Sequence, residues 1–126
     1  MSKLEALIKQ FDQAINRLDE VLKIEKSGII RDSGIKRFEF SFDLSWKLMK
    51  EFLSEHHKII CVSPKTCFRE AYKQGIIDYD DFWIKMADAR NLTAHLYKEE
   101  MADDVYDNIL PKALESFQHL LKQVQK

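Results

Sequence analysis

Leu4-Glu5-Ala6-Leu7-Ile8-Lys9-Gln10-Phe11-Asp12-Gln13-Ala14-Ile15-Asn16-Arg17-Leu18-Asp19-Glu20-Val21-Leu22 places Leu4, Ile8, Phe11, Ile15, Leu18 and Leu22 alternately four and three residues apart. That is a helical stripe close to a heptad seam, and it predicts a helix from about Ser2 to Lys26, ended by Gly28. Leu7, Ala14 and Val21 widen the stripe, and charged residues fill the opposite side. A helix of this pattern packs lengthwise against near-parallel neighbours, at the shallow crossing angle of a bundle.

The rest of the chain repeats the pattern. Asp32 or Ser33 can cap a second helix running from Gly34 to about Glu55, with Ile35, Phe38, Phe42, Ser45, Met49 and Phe52 on one stripe. Phe40, Leu44, Trp46 and Leu48 add more apolar surface than one face needs, which points to a central position or a second interface and suggests a homodimer. His56-His57-Lys58 closes this helix, where positive charge suits the C-terminal dipole. Ser63-Pro64 reads as N-cap and first position of a short third helix ending at Gly75. Asp78 opens the fourth, with Phe82, Trp83, Met86, Ala87 and Ala89 facing inward. The last apolar pattern runs from Val105 to Val124. Pro111 either kinks that helix or marks the first turn of a separate piece. The acidic residues Glu99, Glu100, Asp103, Asp104 and Asp107 crowd its start and are expected to set negative charge beside the preceding segment. The expected fold is all-α: an up-and-down four-helix bundle with an additional short helix, in one domain spanning residues 1–126.

Composition narrows the function classes. Hydrophobic content of 45% with 33% charged residues suits a folded domain rather than a disordered chain. A net charge of −1 argues against holding nucleic acid by bulk electrostatics, so any contact with RNA is expected to be local. Cys61 and Cys67 lack zinc-site spacing and are expected as reduced thiols in the cytosol. Adjacent His56 and His57 point in different directions and make a poor metal pair, so no metal site is expected. No apolar run approaches the span of a bilayer, and the chain opens directly into an amphipathic helix; a cytoplasmic protein without membrane contact is expected.

Chemistry concentrates in Ala89-Arg90-Asn91-Leu92-Thr93-Ala94-His95-Leu96-Tyr97. A fixed cation, an imidazole and a phenol together are suited to handling a phosphate. On a straight helix Arg90 and His95 would diverge by about 140°. Either the helix ends between them, or another element or subunit brings them together. Both groups are expected to be open to solvent. A blander reading makes Tyr97 a half-buried aromatic bonded to backbone.

Arg90-Asn91, His95 and Tyr97 resemble the signature of HEPN domain proteins, in particular the small branch paired with MNT-type nucleotidyltransferases. The likeness extends to the aromatic-rich stretch Phe38–Lys47 and to Ser63–Ala71. The resemblance implies metal-independent RNA cleavage without a cofactor. His95 would take the proton of a ribose 2′-hydroxyl, Arg90 would stabilise charge on the phosphorane, and Asn91 would orient the phosphate or the imidazole. It also implies that an MNT-type partner moves AMP from ATP onto Tyr97, which makes the chain the toxin of a toxin–antitoxin pair. The rival implication is a non-catalytic accessory subunit that binds substrate for a nucleotidyltransferase. With no Gly-rich phosphate loop and no paired-Asp motif, the chain is not expected to transfer nucleotides itself.

Overall fold

The computed structural model describes residues 1–78 and 81–126. Its helices are α1 (Lys3–Leu22), α2 (Gly28–His57), α3 (Pro64–Lys73), α4 (Asp81–Leu92), α5 (Glu99–Asn108) and α6 (Leu110–Val124), with a 3₁₀ turn at Thr93–His95. Among the described residues there is no strand. The all-α bundle with an additional short helix is therefore the observed class.

The α2 helix is the axis. Its 30 residues correspond to a rod of about 45 Å. α1 lies antiparallel along it: Lys3 pairs with Glu51 near one end, and the Arg37 guanidinium donates to the Arg17 carbonyl further along at 2.7 Å. α3, α4, α5 and α6 also pack on α2. One aromatic network joins five helices. Phe38 touches Phe42 and Phe117, Phe42 touches Phe68, Phe68 touches Trp83, and Trp83 returns to Phe117, with centroids 5.2–6.3 Å apart. Phe11 of α1 meets Phe117 edge-on at 5.8 Å. The four phenylalanines Phe11, Phe38, Phe68 and Phe117 are fully excluded from solvent. Each such ring stabilises the fold by about 1.5–3 kcal/mol through burial, and each well-placed ring pair adds about 0.5–1.5 kcal/mol.

Local signals explain the helix starts. The Ser2, Ser27 and Ser63 hydroxyls accept from the backbone N–H groups of Glu5, Ile30 and Thr66. At α3, Thr66 returns a contact to the Ser63 N–H, which completes a capping box with Pro64 in the first turn. Gly75, at φ +73°, supplies the left-handed residue that turns the chain after α3, where the sequence placed that helix's stop.

Several expected boundaries are corrected. α1 stops at Leu22, where its apolar stripe ends, four residues before Lys26. α2 begins at Gly28, capped by Ser27 and not by Asp32 or Ser33, so Gly28 opens a helix and does not end one. Gly34 lies inside α2 for a tertiary reason: a Cβ there would stand 2.6 Å from Cε2 of Tyr106 in α5. α4 begins at Asp81; residues 79–80, within its expected first turn, lie outside the described residues. Pro111 stands in the first turn of a separate α6, the second of its two alternatives. Cys61 and Cys67 form a disulfide with Cα atoms 5.2 Å apart, which overturns the expectation of two reduced thiols. They flank the start of α3, Cys61 just before its Ser63 cap and Cys67 in its first turns. Both cysteines are buried.

The acidic start of α5 meets its expectation in part, since Glu99 borders the groove that also holds Thr93 and Tyr97. Asp103 and Asp107 take the Lys26 ammonium at 3.1 and 3.0 Å, and Asp103 also takes Arg31 at 3.4 Å. Lys26, then Arg31, hold the Asp103 carboxyl below its ordinary range. Asp103 and Asp107 thereby brace α5 against the start of α2.

Gly34→Ala tests the close approach of α2 and α5. Alanine favours a helix interior by about 1 kcal/mol, but displacing the packed Tyr106 ring costs about 1–3 kcal/mol. We expect a net loss of up to about 2 kcal/mol in urea unfolding. At Gly28 a Cβ meets nothing within 4 Å. Gly28→Ala is expected to leave stability unchanged or slightly raised.

Candidate functional site

The segment that leaves α4 builds the site. The α-helix ends at Leu92 and tightens into the 3₁₀ turn Thr93–His95, so the helix breaks between Arg90 and His95. This is the first of the two arrangements that the five-residue spacing allowed. Leu96, at φ −83° and ψ 73°, is the centre of an inverse γ-turn closed by the Tyr97 N–H donating to the His95 carbonyl at 3.0 Å. That tight turn brings two side chains together: His95 Nδ1 and the Tyr97 hydroxyl are 3.4 Å apart. Tyr97 is 86% exposed and His95 is exposed, so the half-buried, backbone-bonded reading of Tyr97 does not hold.

Arg90 faces the other way, onto α2. Its Nε and Nη2 meet the two oxygens of Asp43 at 3.2 and 3.3 Å, a bidentate pair, and Nη1 donates to Glu39 at 2.7 Å. Glu39 and Asp43 sit one helical turn apart on the same face of α2. The Thr93 hydroxyl lies 2.7 Å from both Glu39 Oε2 and the Arg90 carbonyl, tying the start of the 3₁₀ turn into the cluster. Asp43, and then Glu39, hold the Arg90 guanidinium in its charged form, above its ordinary range, against the opposing effect of burial. With a side-chain exposure of 29%, Arg90 is less open than expected, because two carboxylates from α2 surround it.

The signature residues thus divide. His95 and Tyr97 form one exposed pair, while Arg90 and Thr93 belong to a partly buried ionic joint. Asn91 is exposed and lines a separate groove with Phe42, Ser63, Pro64, Lys65 and Ala87. Among the described residues no side-chain hydrogen bond joins Asn91 to Arg90, His95 or Tyr97. Tyr97 borders a groove with Arg31, Ile35, Leu96, Lys98 and Glu99, between the start of α2 and the start of α5. Sequence reasoning missed Glu39, Asp43 and Thr93. The four-residue spacing of Glu39 and Asp43 was a readable signal that some cation would be held there. Among the described residues, no three His, Cys, Asp or Glu side chains gather to hold a metal ion, and no helix is long and apolar enough to cross a membrane.

Residues 3–126 match the family described as "Nucleotidyltransferase substrate binding protein like", and the chain belongs to that family. The whole chain aligns at 29% identity with 92% of the probable ribonuclease HepT of Haemophilus influenzae. A crystal structure from Thermus thermophilus superposes with a TM-score of 0.87 at 28% identity, over 92% of this chain and 99% of that one. The tri-AMPylated HEPN toxin of Shewanella oneidensis, solved in complex with its MNT antitoxin, has the same fold: TM-score 0.78 at 18% identity, over 99% of this chain and 98% of the toxin. The HEPN resemblance drawn from Arg90 to Tyr97 therefore holds at the level of the family.

Arg90→Ala removes the cation and leaves Glu39 and Asp43 facing each other. We expect a loss of about 1–2 kcal/mol, reduced from the buried-pair value by solvent screening, and measurable by urea unfolding. Adding Glu39→Gln should recover part of it. His95→Ala, on an exposed turn, should stay within about 0.5 kcal/mol of the native chain.

Proposed function

We propose that this chain is the toxin of a toxin–antitoxin pair: a metal-independent endoribonuclease neutralised when an MNT-type nucleotidyltransferase moves AMP from ATP onto Tyr97. The observation that carries this reading is the exposed Tyr97 hydroxyl 3.4 Å from His95 Nδ1. Any group attached to Tyr97 stands against the imidazole. The name of the Haemophilus influenzae relative, probable ribonuclease, supports the activity, and the tri-AMPylated toxin bound to an antitoxin supports the mode of control.

In this reading His95 takes the proton from a ribose 2′-hydroxyl. The 2′-oxygen attacks the adjacent phosphorus, and the bond from phosphorus to O5′ breaks. The products are a 2′,3′-cyclic phosphate and a 5′-hydroxyl. The leaving O5′ needs a proton, which a second His95 supplies across a two-fold homodimer. Arg90 retains guanidinium N–H groups beyond those given to Glu39 and Asp43, and these can face a phosphate. Its other part is to hold the end of α4 so that the 3₁₀ turn presents His95 in one orientation. In modification, the Tyr97 oxygen attacks the α-phosphorus of ATP and pyrophosphate leaves. The phosphodiester so formed adds a negative charge beside His95 and repels substrate phosphate.

The accessory-subunit reading has two supports: the description of the family and the net charge of −1. One experiment separates the two. The purified chain is incubated with single-stranded RNA and the new ends are analysed, with His95→Ala in parallel. We expect 5′-hydroxyl and 2′,3′-cyclic phosphate ends, and a loss of roughly 10²-fold or more in His95→Ala. A native chain that cleaves nothing, yet forms a stable unmodified complex with its transferase, is the accessory subunit.

Intact-mass spectrometry after co-expression with the transferase checks the modification. The native chain should gain AMP units, whereas Tyr97→Phe, which loses only an exposed hydroxyl, should stay folded and gain none.

A further inference from the structure

We propose that the outer face of α2 around Phe40 binds single-stranded RNA, with one unpaired base stacked on the Phe40 ring and the flanking phosphates held by Arg17, Lys36 and Arg37. Phe40 is 60% exposed. Together with Ala14, Arg17, Lys36 and Arg37 it lines a depression of about 300 Å³ between α1 and α2. Lys36 precedes Phe40 by one helical turn and shares its face. Arg37 is fixed across the seam between the helices, because its Nη1 donates to the Arg17 carbonyl at 2.7 Å.

The three cations are available to an outside anion. Among the described residues neither Arg17 nor Arg37 pairs with a carboxylate. Lys36, with its side chain 83% exposed, reaches only Glu39, at 3.9 Å. A second copy centred on this patch would set like charges close together across the two-fold axis, which disfavours that occupant. RNA matches both parts: an unstacked base has a face for the phenyl ring, and its phosphates suit the surrounding Lys and Arg. A local patch of this kind also suits a chain whose net charge is −1. The patch borders the candidate site, because Glu39, which takes Lys36, also takes Arg90 at 2.7 Å. A strand lying on Phe40 is led along α2 toward the end of α4.

This assignment rests on the ribonuclease reading, so its test uses a probe that cannot be cleaved. A fluorescent 2′-O-methyl oligouridine lacks the attacking hydroxyl, and its binding to the full chain is followed by anisotropy at several salt concentrations. We expect Phe40→Ala, which truncates an exposed ring, to keep the native circular dichroism spectrum and to bind at least roughly tenfold more weakly, the scale of losing one base stack. Arg17→Gln and Lys36→Gln should each make the decline of log affinity with log salt shallower. Cleavage of unmodified RNA is scored separately on the same variants, so docking and cleavage are read independently. Phe40→Ala binding as tightly as the native chain would overturn the proposal. So would a Phe40→Ala variant that falls from dimer to monomer with its oligonucleotide affinity unchanged, which would make this face a contact between copies.

Discussion

The closed contact of Phe38, Phe42, Phe68, Trp83 and Phe117 fixes the relative positions of α2, α3, α4 and α6, and Phe11 adds α1 to it. Side chains this large interlock in few ways. Once Phe68 and Trp83 are seated, α4 has one path across α2. That path brings Arg90 over Glu39 and Asp43. The ionic joint is thus a consequence of aromatic packing more than its cause, although it then sets where α4 gives way to the 3₁₀ turn. The chemistry-bearing residues come after that joint, on a segment whose starting point the core has already fixed.

What was legible in the sequence was what local rules govern. The Leu4–Leu22 stripe, the Ser63-Pro64 helix start and the Gly75 stop were read correctly, because neighbouring residues supply all the signals involved. The boundary between α1 and α2 was misread because Gly28 has two local meanings, and Ser27, directly before it, decided between them. Gly34 could not be read at all: its reason is a tyrosine in α5. The same limit applies to the site. Arg90, Asn91, His95 and Tyr97 stand close in sequence, but the fold separates them into an exposed pair, a half-buried joint and a separate groove. The partners of Arg90 lie 47 and 51 residues away, on α2. The Cys61–Cys67 pairing depended on the geometry at the start of α3, which a spacing of six residues does not specify.

Two sets of charges in this chain act as pairs between elements. Lys26 and Arg31 hold α5, and Glu39 and Asp43 hold α4. In both places α2, or the chain just before it, provides one sign and a later helix the other. A nearly neutral protein can therefore be strongly specified by charge. Arg17 and Arg37, at the seam of α1 and α2, are among the cations with no carboxylate partner among the described residues.

The tight turn from Thr93 to Tyr97 has a consequence for how that segment can move. No residue of Thr93–His95 is buried, whereas every helix of the bundle has residues in the core. Segments with few buried contacts open at much lower free energy than the domain as a whole. Thr93 stays tied to Glu39 and Leu96 packs on the core, so such opening is expected to begin at the exposed residues after Leu96. The turn is thus held at two points and loose at its end, so motion of Tyr97 leaves the aromatic core undisturbed.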